Sequence, residues 1–138
     1  MIRVMIVDDS ATMRAFLSSV LSEAPDLEVI AQAQSGVEAV AMVTEHKPDL
    51  ITMDLMMPEM DGVTAIRRIM EIRPTPILVI SGYTETMDLG EVFESMKAGA
   101  LDVIAKPKDA EDWTSGEWTG SLVERVRTLA STTLKSGS

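Results

Sequence analysis

Apolar residues in this chain form short continuous runs that alternate with longer stretches of helical spacing. Ile2 to Val7 is apolar apart from Arg3 and predicts a strand buried on both faces. It ends at Asp8-Asp9. Ser10 is a candidate N-cap, and Met13, Phe16, Leu17, Val20, Leu21 and Ala24 then recur at helical spacing until Pro25-Asp26. Leu27 to Ala33 alternates weakly and predicts a second strand. Gly36 marks a turn, and Val37 to Glu45 reads as a helix with Val40 and Val43 or Thr44 facing inward. Asp49 to Met53 predicts the third strand. Pro58 and Asp61-Gly62 are loop and helix-start signals, and Val63, Ile66, Ile69 and Met70 carry the next helix to Ile72. Beyond Arg73-Pro74-Thr75-Pro76, Ile77 to Ile80 predicts a fourth strand, ending at Ser81-Gly82. Leu89, Val92, Phe93 and Met96 share one face of a further helix, closed by Gly99 in C-cap position. Leu101 to Ala105 predicts a fifth strand, and Lys106-Pro107 follows directly. Lys108 to Gly120 is polar apart from two tryptophans, and Leu122, Val123, Val126, Leu129 and Ala130 make a last amphipathic helix.

Five strands alternating with five helices imply an α/β fold: parallel strands, right-handed crossovers and helices on both faces of the sheet. A length of 138 residues fits one domain. That domain is expected over residues 1–130, with the Ser/Thr/Gly-rich 131–138 as a linker or an appended tail. The chain has no cysteine, which rules out a disulfide scaffold and thiolate metal sites and is compatible with a cytoplasmic location. Its net charge of -10 argues against a uniformly basic nucleic-acid surface. No signal peptide is evident, and no apolar run approaches the roughly 20 residues of a membrane span.

The polar residues that stand out share one position. Asp8 and Asp9 end the first predicted strand, Asp54 the third, Ser81 the fourth and Lys106 the fifth. In doubly wound sheets the carboxyl ends of the strands are where ligands gather. Each residue alone has a plain structural explanation. Asp9 could cap the first helix, Asp54 and Ser81 could stabilise turns, and Lys106 could be a solvated charge. Those explanations leave the convergence on one sheet edge unexplained. Crowded carboxylates repel: two unit charges about 4 Å apart interact by roughly 4 kcal/mol at an effective dielectric of about 20. A divalent cation removes that penalty, and all-oxygen ligation suits Mg²⁺, or Mn²⁺ in its place. A carboxylate at such a site can itself be the nucleophile and form an aspartyl-phosphate. Lys106 would then neutralise one phosphoryl oxygen, and the Ser81 hydroxyl could donate to another.

Val7-Asp8-Asp9-Ser10, the stretch from Asp54 through Leu55-Met56-Met57-Pro58-Glu59-Met60-Asp61 to Gly62, Ser81-Gly82 and Lys106-Pro107 together resemble the receiver domain of two-component response regulators. The resemblance runs from about Ile2 to Ala130. It implies a flavodoxin-like, doubly wound five-stranded parallel sheet of strand order 2-1-3-4-5. It also implies that Asp54 is the phosphoacceptor. Asp9, Asp54 and the backbone carbonyl of Met56 would bind Mg²⁺ directly, and Asp8 would act mainly through a metal-bound water. Ser81 would be the hydroxyl that moves toward the phosphoryl group, and Lys106 would pair with that group before a cis peptide to Pro107. The donor would be the phosphohistidine of a histidine kinase. The implied output is a phosphorylation-dependent change around the fourth helix, fifth strand and fifth helix.

Ile2 to Ala11, Met53 to Pro58 and Gly99 to Pro107 further resemble the N-terminal regulatory domain of the chemotaxis protein-glutamate methylesterase family, which implies a chemotaxis kinase and a methylesterase output domain. His46 is the only histidine and no Gly-x-Ser-x-Gly occurs, so these residues cannot supply a Ser-His-Asp esterase. A stand-alone single-domain regulator is the alternative within the family. An Asp-nucleophile phosphatase or phosphotransferase is disfavoured by Met56, which stands where a second Asp is needed. A phosphorylation-independent binding module is disfavoured by the intact acid set, and a flavin-binding protein by acids where a phosphate would sit. One departure is Val103, at a position that is usually aromatic in the family. Tyr83, with Met56, is expected instead to shield the aspartyl-phosphate from water. The methionines and tryptophans read as packing residues and His46 as a helix-end residue.

Overall fold

The computed structural model describes residues 1–82, 89–107 and 109–132, except for the side chain of Ala110. Its strands are β1 (Ile2–Val7), β2 (Leu27–Ala33), β3 (Leu50–Met53), β4 (Ile77–Ser81) and β5 (Asp102–Ala105). Its helices are α1 (Ala11–Ser22), α2 (Gly36–His46), α3 (Gly62–Ile72), α4 (Leu89–Ala98), α5 (Ala110–Thr114) and α6 (Gly116–Ala130). The strands form one parallel sheet in the order β2-β1-β3-β4-β5. This is the expected doubly wound arrangement.

Alternation along the strands sends side chains to two apolar layers. Met5, Val7, Ile51, Met53, Ile77 and Val79 pack with Ala39 and Val43 of α2 and with Ala65, Ile66 and Ile69 of α3. Val4, Ile6, Leu50, Leu78, Ile80 and Ile104 pack with Met13, Leu17 and Leu21 of α1 and with Leu122 and Val126 of α6. Capping fixes where the helices begin. The hydroxyls of Ser10 and Ser35 accept from the Met13 and Glu38 amides, and the Asp61 carboxylate accepts from the Thr64 amide. Arg3, the one charge in β1, donates to the carbonyls of Lys47 at 2.7 Å and His46 at 2.8 Å. It thereby satisfies the C-terminal end of α2.

Three expectations change. The stretch from Lys108 to Gly120, given no element from its sequence, is mostly helical among its described residues: α5 is a separate short helix, and α6 begins at Gly116, well before the apolar periodicity does. The inward positions of α2 are Gly36, Ala39 and Val43. Val40 is partly buried and packs against the same core as expected, whereas Thr44 is exposed. The shared apolar face of α4 does not enter the core, because Leu89, Phe93 and Met96 are 76%, 62% and 40% exposed. Val92 is the residue of that set that packs against the interior.

Candidate functional site

Asp8, Asp54 and Lys106 continue the alternation of the layer that faces α1 and α6, one step beyond the ends of β1, β3 and β5. Strand pairing sets their depths. The Asp54 amide donates to the Val7 carbonyl at 3.0 Å, and the Lys106 amide donates to the Gly82 carbonyl at 3.0 Å. Each acid is then oriented by its own loop. Asp8 Oδ1 accepts from the Ser10 amide at 2.8 Å, and Asp54 Oδ1 accepts from the Met56 amide at 3.2 Å. Both are two-residue Asx turns, which hold a carboxylate against its backbone. The Arg14 guanidinium, one turn into α1, donates to the Asp8 carbonyl at 2.6 Å and braces the end of β1.

Gly62 brings α3 down onto the site. A Cβ there would lie 2.4 Å from the Asp54 carbonyl oxygen and 2.6 Å from Leu55 Cα, so only glycine fits against this backbone. The Gly62 amide instead donates to the Leu55 carbonyl at 3.0 Å.

The resulting constellation is compact. Oxygens of Asp8, Asp9 and Asp54 all lie within 4.8 Å of one another. Lys106 Nζ stands 3.3 Å from Asp8 Oδ2 and 3.5 Å from Asp54 Oδ2. Asp8 and Asp54 are buried, Asp9 faces solvent, and the side chain of Lys106 is one-fifth exposed. Burial pushes the Asp54 carboxyl up from 3.8 to about 6; the Lys106 ammonium opposes this, and the charges of Asp8 and Asp9 add to it. An all-carboxylate set with an open, exposed member can hold a hard cation and leave room for another ligand. Ser81 is buried at the end of β4, paired in register with Ala105. Met56 is exposed, with its amide tied to Asp54.

Two expectations do not hold or lie elsewhere. No peptide bond among the described residues is cis, so the bond to Pro107 differs from the one the resemblance implies. Tyr83 lies outside the described residues. Sequence reasoning also passed over Arg14, and it read Trp118 as a packing residue, which it is, without its hydrogen bond. Arg14 offered only a cation one turn after a cap. The Trp118 indole Nε1–H donates to the Ala105 carbonyl at 2.8 Å, a contact that no spacing rule foretells.

A family model described as Response regulator receiver domain matches residues 4–115. The chain belongs to this family. The receiver domain superposes on the response regulator domain of CheB from Thermotoga maritima with a TM-score of 0.86 and 36% identity, covering 96% of this chain and 98% of that one. It is 48% identical over 129 residues to protein-glutamate methylesterase/protein-glutamine glutaminase 2 of Carboxydothermus hydrogenoformans, covering 94% of this chain and 36% of that relative. It is 39% identical over 126 residues to the methylesterase/glutaminase of Thermotoga maritima, covering 91% of this chain and 36% of that relative. The receiver domain thus spans about a third of the length of these curated relatives. A CheX–CheY–BeF3–Mg²⁺ complex from Borrelia burgdorferi contains a chain 28% identical to it, with a TM-score of 0.77 over 94% of this chain. Among the described residues, no helix is long and apolar enough to cross a membrane.

Proposed function

We propose that this receiver domain is a phosphorylation-dependent switch in which Asp54 takes a phosphoryl group from the phosphohistidine of a histidine kinase. The observation that carries the reading is the gathering of Asp8, Asp9 and Asp54 oxygens within 4.8 Å, with Lys106 Nζ within salt-bridge reach of two of them. The donor set fits Mg²⁺, with Mn²⁺ as substitute, because every side-chain ligand is a carboxylate oxygen and one is open to water. Asp9, Asp54 and the Met56 carbonyl would hold the ion directly and Asp8 through water. Bound there, the ion would neutralise charge on the transferring oxygens. The BeF3 and Mg²⁺ named with the Borrelia burgdorferi relative support the same assignment.

The protein's own residues have separable tasks. An ionised Asp54 oxygen forms the new O–P bond while the donor's N–P bond breaks, and the departing imidazole nitrogen is protonated from solvent. The Asx turn to Met56 orients the carboxylate for that attack. Lys106 releases Asp54 and pairs with a phosphoryl oxygen, and Ser81 donates to another. The responding unit is taken as residues 1–130, and the change is read around α4, β5 and the C-terminal helices. The regulated output is a protein-glutamate methylesterase domain and the donor a chemotaxis-type kinase, since the curated relatives are methylesterases that this chain covers in part.

Incubation with acetyl phosphate and Mg²⁺ should add one phosphoryl mass to the wild type, none after EDTA and none to Asp54→Asn. Equal labelling of Asp54→Asn, or labelling indifferent to EDTA, rejects the assignment.

A further inference from the structure

We propose that Trp118 is a positioning residue for Lys106, fixing the end of β5 from α6 so that the ammonium stands between Asp8 and Asp54. The inference rests on the phosphoacceptor reading and assigns a part of that site to a residue beyond the 4–115 that match the family.

β5 is an edge strand of four residues, paired among the described strands with β4 alone. An edge strand has backbone groups with no strand to meet them, and its end is the part most free to drift. The peptide group that joins Ala105 to Lys106 is nevertheless held at both poles. Its N–H donates to the Gly82 carbonyl at 3.0 Å, and its C=O accepts the Trp118 indole N–H at 2.8 Å. A peptide group is planar, so partners at both poles fix the orientation of the whole plane. That plane sets the direction in which the Lys106 side chain leaves the backbone.

The indole is itself immobilised. Trp118 lies 5.6 Å from Trp113 and 6.2 Å from Phe16 between ring centroids, and Phe16 meets Trp113 edge-on at 4.9 Å. Phe16 belongs to α1, whose first turn also carries the Ser10 and Arg14 contacts to Asp8. One aromatic cluster therefore ties the lysine's strand to the helix that braces the acid. Lys106 Nζ reaches its two carboxylates at 3.3 and 3.5 Å, so a small tilt of its backbone weakens both contacts at once.

Trp118→Phe keeps a ring in the cluster and removes the N–H. With acetyl phosphate and Mg²⁺, this variant should label roughly three- to tenfold more slowly than wild type, the range expected for loss of one hydrogen bond. Its Mg²⁺ affinity by calorimetry should not fall, because Trp118 touches none of the acids and a weaker Lys106 contact leaves them no less available to a cation. In a Lys106→Met background the same substitution should cost nothing further, a non-additivity that general loosening of the fold would not produce. Unchanged labelling of Trp118→Phe, or an equal fractional loss with and without Lys106, overturns the inference. If Trp118→Phe does not fold, hydrogen exchange in the wild type decides: the Trp118 indole N–H should be protected as the Lys106 amide is, and a freely exchanging indole N–H overturns the inference. A wild type that does not label at all would instead overturn the phosphoacceptor reading.

Discussion

Replacing Asp54 with asparagine should stabilise the metal-free protein above about pH 6. Burial raises the Asp54 carboxyl from 3.8 to about 6, against the pull of Lys106. Between those two values the folded state holds a proton that the unfolded state has released. Stability therefore falls as pH rises through that interval. Below 3.8 both states are protonated and the cost is absent; above about 6 both are ionised and the cost is complete. The shift corresponds to roughly 3 kcal/mol at 1.36 kcal/mol for each pH unit, an upper figure because the substitution leaves Lys106 with Asp8 alone. Urea unfolding of wild type and Asp54→Asn in EDTA, followed by circular dichroism from pH 4.5 to 8, measures the difference directly. The variant's advantage should grow with pH up to about 6.5 and then level off. Saturating Mg²⁺ should narrow it, since a cation that binds the folded wild type stabilises that protein preferentially. A gap that does not vary with pH, or an Asp54→Asn variant less stable than wild type at pH 7.5, would refute the claim that Asp54 is held at an energetic cost.

Two further substitutions test the support beneath the site. Gly62→Ala places a Cβ against the Asp54 carbonyl and the Leu55 backbone, neither of which can yield as a side chain would. It should cost roughly 3 kcal/mol in urea unfolding, and a neutral result would mean that α3 is not seated on that backbone. Thr52 Oγ1 is buried with no hydrogen-bond partner among the described residues. Thr52→Val should raise stability by about 1 kcal/mol in thermal or urea melts. A loss would show that the hydroxyl is held by an internal water.

Much of the architecture was legible because strands and helices repeat at different periods. β2 and α3 fall where the pattern puts them, and Ser10 caps α1 as read. Periodicity identifies residues that share a face but does not say what covers that face. This is why Leu89, Phe93 and Met96 were grouped correctly yet lie exposed. α5 has no apolar stripe to betray it. Its five residues, with Glu111 and Asp112 in the first turn, look like loop until Trp113 is seen packed on Phe16. At the site, the acids and Lys106 were readable because a charge at the end of a buried strand demands a partner. The residues that hold them were not. Arg14 and Trp118 donate to the backbone carbonyls of Asp8 and Ala105, Gly62 packs against the backbone of Asp54 and Leu55, and backbone groups leave no trace in an amino-acid string.

The Asp8–Lys106 ion pair joins the first strand to the last. A contact so distant along the chain closes a long loop, whose entropy has to be met by the other strand pairings. The same contact is among the first exposed to fraying, because it hangs on a short outer strand of which only Ile104 is buried. Engagement of Lys106 with the acids therefore reports closure of the sheet out to its last strand. Transient peeling of β5 would disarm the acids while four strands remain standing, so signalling competence can be lost well before the molecule melts.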